Sequence, residues 1–255
     1  MIMEYGLIGE KLGHSYSKII HERLADYKYN LIELDINELD TFLKEKKFKG
    51  VNVTIPYKTT VIPYLDSLDD SARKIGAVNT IVNNNGKLKG YNTDYYGFLY
   101  TLEHHKISIK GEKIIVLGNG GAAKAIIAAL EDLQAGQIII VGRTLRDNTI
   151  SFEECYKNHT DAKVIVNCTP VGMYPNLDES PLNLETFNSC SHVIDLIYNP
   201  AKTKLLTEAA KKGIYGVNGL DMLIAQAKVA AEYFLNININ NSEIQKIKKE
   251  LVQNF

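Results

Sequence analysis

The stretch KIIVLGNGGAAKAIIAALEDLQAGQIIIVGRT, residues 113–144, constrains the fold more than any other part of the chain. An apolar run ends in a glycine-rich turn, a helical pattern of small and apolar residues follows, and a second apolar run closes it. Strand, tight turn, helix and strand in that order make a unit whose strands lie parallel, with the helix packed on the sheet. Within the turn, Gly118, Gly120 and Ala123 have the G-x-G-x-x-A spacing. Gly118 permits the tight turn, Gly120 lets backbone approach a pyrophosphate, and Ala123 allows close packing of helix on strand. The helix N-terminus adds free N–H groups and a positive dipole end. The second strand ends at Gly142, Arg143 and Thr144, with Arg146 close behind. An NAD site usually has a carboxylate there for the ribose 2′-OH, whereas a guanidinium and a hydroxyl suit a 2′-phosphate. The cofactor expected from these residues is NADP.

Other β-α alternation surrounds this unit. EYGLIG, YNLIELDI and FKGVNVTI read as strands, SKIIHERLADY and NELDTFLKEKK as helices, the second opened by Asn37. VNTIVNNNGKLKGYN reads as a hairpin turning at Asn85-Gly86. Beyond residue 144, KVIVNCT, HVIDLIY and IYGVN read as strands and TKLLTEAAKK as a helix, and the tail holds two more helices. The expected fold class is α/β, with mainly parallel sheets covered by helices, a Rossmann-like dinucleotide-binding unit and a break near residue 95. With 255 residues, 45% of them hydrophobic, the chain has the material for one large domain or two modest ones.

Charge and cysteine content exclude several functions. Lys plus Arg number 29 against 30 for Asp plus Glu, so no global field favours nucleic acid or an anionic membrane. The N-terminus lacks a basic start and a long apolar run, and no stretch approaches the ~20 apolar residues that cross a bilayer. Cys155, Cys168 and Cys190 are odd in number and widely spaced, which fits reduced thiols in a cytoplasm. His104 and His105 read as solvated residues near a helix end, and no metal is assigned.

The segment VNVTIPYK, residues 51–58, raises a sharper question. Val51, Val53 and Ile55 alternate like a strand buried on one face, Pro56 stops pairing, and Lys58 follows at once. Either Lys58 is a surface lysine opening a helix, or the strand end holds an ammonium over a pocket. This segment alone leaves both readings open.

Taken together the motifs are familiar. GHSYSKIIHE (13–22), GVNVTIPYK (50–58), GAVNT (76–80), GYNTDYYGF (90–98), GNGGAAKA (118–125), GRT (142–144), NCTPVGM (167–173), DLIYNP (195–200) and GLDMLIAQA (219–227) run nearly end to end. In number and order they resemble the shikimate dehydrogenases, NADP-dependent reductases of 3-dehydroshikimate in aromatic amino-acid biosynthesis. The resemblance implies a substrate-binding domain of residues 1–95 plus 220–255, an NADP-binding domain of residues 96–219, and an active site in the cleft between them. It further implies a cytoplasmic enzyme, monomeric or homodimeric, whose partner is a small-molecule substrate.

Residue by residue, the resemblance makes Lys58 and Asp94 the catalytic acid–base pair. Ser15 and Ser17 match the serines that hold the substrate carboxylate. Thr54, Asn79 and Asp94 match groups around the ring hydroxyls and reacting carbonyl, and Tyr198 and Gln226 border substrate from the other side. Cofactor contacts fall on Gly118, Asn119, Gly120, Gly121, Ala122, Arg143, Thr144, Thr169, Ile197, Gly219 and Met222. Two positions depart from the family pattern. Lys18 stands where proline usually follows the second serine, and Gly142 where asparagine usually precedes the arginine. Alternatives are a quinate/shikimate dehydrogenase, which often accepts NAD, a catalytically silent NADP-binding regulatory protein, and a methylenetetrahydrofolate dehydrogenase-like enzyme. Arg143 argues against NAD, the presence of both Lys58 and Asp94 argues against a silent protein, and the serine pair argues against the folate enzyme.

Overall fold

A computed structural model describes residues 4–13, 15–145 and 148–254; Arg146 lies outside the described residues. The chain forms two compact units, one running to Phe98 and resuming at Leu223, the other spanning Leu99–Met222. The first carries β1 (Tyr5–Gly9), α1 (Ser17–Leu24), β2 (Tyr29–Glu33), α2 (Ile36–Glu45), β3 (Gly50–Val53), β4 (Ser67–Leu68), α3 (Asp70–Ile75), β5 (Thr80–Asn84) and β6 (Lys87–Tyr91). Helix α4 (Thr93–His104) leads into β7 (Lys113–Leu117), α5 (Gly121–Asp132), β8 (Gln137–Val141), β9 (Thr149–Ile150), α6 (Phe152–Asn158), β10 (Val164–Asn167), β11 (His192–Asp195), α7 (Lys204–Lys211) and β12 (Tyr215–Val217). Helices α8 (Leu220–Leu235) and α9 (Ser242–Asn254) close the chain.

The first unit holds a six-stranded sheet in the order β2-β1-β3-β5-β6-β4. Its β1–β2, β1–β3 and β4–β6 pairs are parallel, and the β5–β6 hairpin is antiparallel. Asn85 (φ 52°) and Gly86 (φ 86°) make its turn, as the Asn-Gly pair requires. Helix α8 returns to this sheet because Gly50 has no side chain. A Cβ there would stand 2.3 Å from the Phe234 ring.

The second unit's sheet runs β12-β11-β10-β7-β8-β9, with every pair parallel. Counted from β7 this is the 3-2-1-4-5-6 order of a dinucleotide-binding sheet, whose direction of winding reverses between β7 and β10. Ile115, Leu117, Val141, Ile165, Val193 and Leu205 fill one of its cores.

Local differences from the sequence reading have identifiable causes. Asp35, not Asn37, caps α2: its side chain accepts from the Asn37 and Glu38 amides, and Glu38 reaches back in a capping box. The α1 pattern extends on paper to Tyr27, but the helix ends at Leu24 and Tyr27 turns back toward His21. Strand β3 ends at Val53, so Ile55 is 75% exposed rather than in the core. All four β3 residues are buried, Asn52 among them, so the strand is covered on both faces.

His21 illustrates what burial does to a titratable group. Its ring stacks on Tyr29 with centroids 4.0 Å apart, and it is fully buried. Burial pushes the imidazole down to about 3. The unfolded chain, with an ordinary histidine near 6.5, therefore binds a proton more readily than the folded one. Stability from this residue is full above about pH 6.5 and is lost as pH falls toward 3. Between pH 7 and pH 5 the loss should be about 2 kcal/mol. Denaturant titrations of wild type and His21→Phe at both pH values check this. The variant should lose about 2 kcal/mol less than wild type, and an equal loss in both proteins rules the explanation out.

Candidate active site

Lys58 and Asp94 meet in the first unit. Lys58 follows β3 by five residues, in a turn anchored by the Val78 amide, which donates to the Lys58 carbonyl at 2.7 Å. Asp94 lies in the first turn of α4, where the positive end of the helix dipole favours a carboxylate. The Lys58 Nζ donates to Asp94 Oδ2 at 2.5 Å, with the two side chains only 14% and 9% exposed. A pair so withdrawn from water loses solvation, and further hydrogen bonds must offset that loss. Asn79 supplies one, donating from Nδ2 to Asp94 Oδ1 at 2.9 Å.

Asn79 is itself held tightly. Its Oδ1 accepts from the Thr93 amide at 2.7 Å, and its Nδ2 also reaches Thr93 Oγ1 at 2.9 Å and Gln226 Oε1 at 3.4 Å. Gln226 comes from α8 and donates to the Leu223 carbonyl at 2.9 Å. Of the expected substrate residues, the structure therefore joins Lys58, Asp94, Asn79 and Gln226 by hydrogen bonds. The sequence reading missed three more polar members of the cluster: Asn52, Thr80 and Thr93, all buried. The signals were a lone asparagine inside VNV and the threonines beside Asn79 and Asp94.

The other candidates belong to other elements. Ser15 lies in the loop before α1, and its Oγ accepts from the Ser17 amide at 3.2 Å. Ser17 is the first residue of α1 rather than its cap, and it is buried. Thr54 follows β3, and its amide donates to the Ile8 carbonyl at 3.0 Å. Tyr198 belongs to the second unit, half-buried beyond β11.

In the second unit Gly118 adopts φ +97°, which a side chain would resist, and a Cβ would meet the Thr169 methyl at 3.1 Å. The loops after β7 and β10 are thus neighbours at the switch point of the sheet, where ligands of such folds bind. Gly120 occupies the cap position of α5, and no side chain caps that helix. Asn119 donates to Thr149 Oγ1 at 3.1 Å, while Gly121 and Ala122 open α5. Thr169 is fixed by Asn167, whose Oδ1 accepts from its amide at 3.0 Å and its hydroxyl at 2.7 Å. Ile197 and Met222 are buried, and the Gly219 amide donates to the Ile197 carbonyl at 3.0 Å.

Arg143 and Thr144 are exposed just beyond β8. At Gly142 a Cβ would lie 3.0 Å from the Thr149 methyl of β9, a tight contact that Thr149 would have to relax by a few tenths of an ångström to admit. Glycine-lined backbone at an uncapped helix N-terminus, with a guanidinium and no carboxylate among residues 142–144, fits a dinucleotide bearing a 2′-phosphate.

His105 corrects one expectation. It is half-buried rather than solvated, with Nδ1 3.0 Å from the Tyr215 hydroxyl and Nε2 2.8 Å from the buried Asp221 carboxylate. His104 is exposed.

Comparison with known proteins gives a consistent result. The model of the shikimate dehydrogenase substrate binding domain matches residues 7–81. A shikimate dehydrogenase (NADP(+)) of Clostridium beijerinckii is 42% identical, over 94% of this chain and 95% of that protein. This chain belongs to the shikimate dehydrogenase family. Among solved shikimate dehydrogenase structures, a chorismate mutase/shikimate 5-dehydrogenase fusion protein from Clostridium acetobutylicum aligns with TM-score 0.90 and 40% identity, covering 99% of each chain. The shikimate 5-dehydrogenase of Thermus thermophilus, in complex with NADP(H) and shikimate, aligns with TM-score 0.85 and 30% identity over 97% of this chain and 99% of that one. The two-domain α/β fold is shared with these shikimate dehydrogenases. No helix among the described residues is long and apolar enough to cross a membrane.

Proposed function

We propose that this chain is an NADP-dependent shikimate dehydrogenase that interconverts 3-dehydroshikimate and shikimate. The observation that carries the reading is the buried Lys58–Asp94 pair at 2.5 Å, set in a family member matched over nearly its whole length. NADPH, when bound, supplies hydride to the C3 carbonyl carbon. Lys58 then stabilises the oxygen as its negative charge develops and gives it a proton; in the reverse direction its neutral amine takes that proton back. Asp94 holds the Lys58 Nζ and a ring hydroxyl in register. Asn79 and Gln226 offer amide groups to the remaining hydroxyls, and Ser15 and Ser17 hold the carboxylate with neutral donors. Thr54 and Tyr198 complete the substrate contacts. Gly118, Asn119, Gly120, Gly121 and Ala122 would cradle the pyrophosphate, Arg143 and Thr144 the 2′-phosphate, and Thr169, Ile197, Gly219 and Met222 the nicotinamide end.

The test is an initial-rate assay of NADP⁺ reduction with shikimate beside quinate, repeated with NAD⁺. Shikimate with NADP⁺ should be the preferred pair. Absence of turnover with shikimate and either cofactor overturns the reading, and faster turnover with quinate moves the substrate assignment.

A further inference from the structure

A row of buried side chains leads away from Asn79. Tyr29, on β2, is fully buried, and its hydroxyl donates to Asn52 Oδ1 at 2.6 Å across the sheet, past β1. Asn52 Nδ2 donates to the Asn79 carbonyl at 3.2 Å and to Thr80 Oγ1 at 2.9 Å. Thr80 Oγ1 donates to Asn79 Oδ1 at 3.1 Å, and Asn79 Nδ2 donates to Asp94 Oδ1. Exposure along the row is 0% for Tyr29 and Thr80, 5% for Asn52 and 3% for Asn79.

The donor directions of Asn79, Asn52 and Tyr29 are fixed by partners that have only one choice. The Thr93 amide can only donate, so the atom of Asn79 facing it must be the carbonyl oxygen, and the amide nitrogen must face Asp94. The Asn79 backbone carbonyl can only accept, so Asn52 must turn its nitrogen there and its oxygen to Tyr29. Tyr29 must then donate. The Thr80 hydroxyl reaches both Asn79 Oδ1 at 3.1 Å and Thr93 Oγ1 at 3.3 Å; with its proton on Asn79, every hydrogen bond in the row points the same way and ends on the proposed acid–base pair. At the far end Tyr29 rests on His21, which burial keeps neutral, so no charge there competes with the row.

We propose that Tyr29, Asn52 and Thr80 are positioning residues, which together with the Thr93 amide hold Asn79 with one donor directed at Asp94, Thr80 through its side-chain oxygen and Asn52 through its backbone carbonyl. This rests on the dehydrogenase reading above. It separates the row from ordinary core polar groups, whose loss costs stability without changing turnover of the folded enzyme.

The test is a double-mutant cycle read in kcat/KM for shikimate, with the folded fraction of each protein checked by thermal unfolding. Thr80→Val removes a hydroxyl at nearly constant volume and should lower kcat/KM about tenfold, the loss typical of one mispositioned hydrogen bond. KM for NADP⁺ should stay within about twofold, and Thr80→Ser should recover most of the loss. Tyr29→Phe should act in the same direction, more weakly. In an Asn79→Ala background both substitutions should have no further effect, because they act through Asn79. Equal losses in the two backgrounds, or Thr80→Val and Tyr29→Phe both within about twofold of wild type, overturn the proposal. If Thr80→Val does not fold, the cycle with Tyr29→Phe decides by the same criterion. A wild type without shikimate turnover would instead overturn the dehydrogenase reading.

Discussion

Lys58→Ala should lose turnover by about 10²–10⁴-fold, the usual contribution of a positioned proton donor, while shikimate and NADP⁺ still bind measurably. The expectation follows from the chemistry of the step. A hydride arriving at a carbonyl carbon leaves charge on oxygen, and the ammonium beside it can both stabilise that charge and discharge it. Lys58 is 14% exposed and bonded to Asp94 at 2.5 Å, so its Nζ has one position rather than the many of a surface lysine. Lys58→Arg should fail as well, because a guanidinium keeps its charge but hardly gives up a proton. Asp94→Asn should be impaired in the same direction. Losing Lys58 also leaves the Asp94 carboxylate buried without its cation, so thermal unfolding must accompany the kinetics. A folded Lys58→Ala protein that turns over within a few-fold of wild type would mean that water or another side chain moves the proton.

Arg143→Ala should raise KM for NADP⁺ about ten- to a hundredfold and leave that for NAD⁺ nearly unchanged. A charge-assisted contact to phosphate is worth on the order of 1.5–3 kcal/mol, which is that factor in binding. Arg143 follows β8, where the ribose of a dinucleotide falls in folds of this strand order, and Gly142 and Thr144 flank it without a carboxylate. Parallel KM measurements with both cofactors decide the matter, and a wild type that already prefers NAD⁺ defeats the assignment.

Much of the architecture was written locally. Alternating β and α patterns, Asn85-Gly86 at the hairpin and the G-x-G-x-x-A turn specify elements by rules that act within a few residues, so one sequence suffices to read them. The same holds for residue types: Lys58, Asp94, Asn79 and Gln226 stand out through the motifs that contain them. Boundaries were less legible. The capping box at Asp35 and the end of β3 before Ile55 depend on which neighbouring group wins a hydrogen bond or a place in the core.

What only the tertiary structure decided is convergence. Lys58 and Asp94 are 36 residues apart and Asn79 and Gln226 are 147 apart, and nothing in the spacing says that they touch. Contact depends on the sheet placing β3 beside β5, and on a bare Gly50 that lets α8 lie against the first unit. Asn52, Thr80 and Thr93 stayed hidden for a related reason. Alternation shows which strand residues share a face, but a buried polar side chain and a solvated one look alike until the opposite face is known to be covered. The sequence by itself determined the chemistry available to this protein; burial on both sides of one sheet decided which of those groups are held together and which face water.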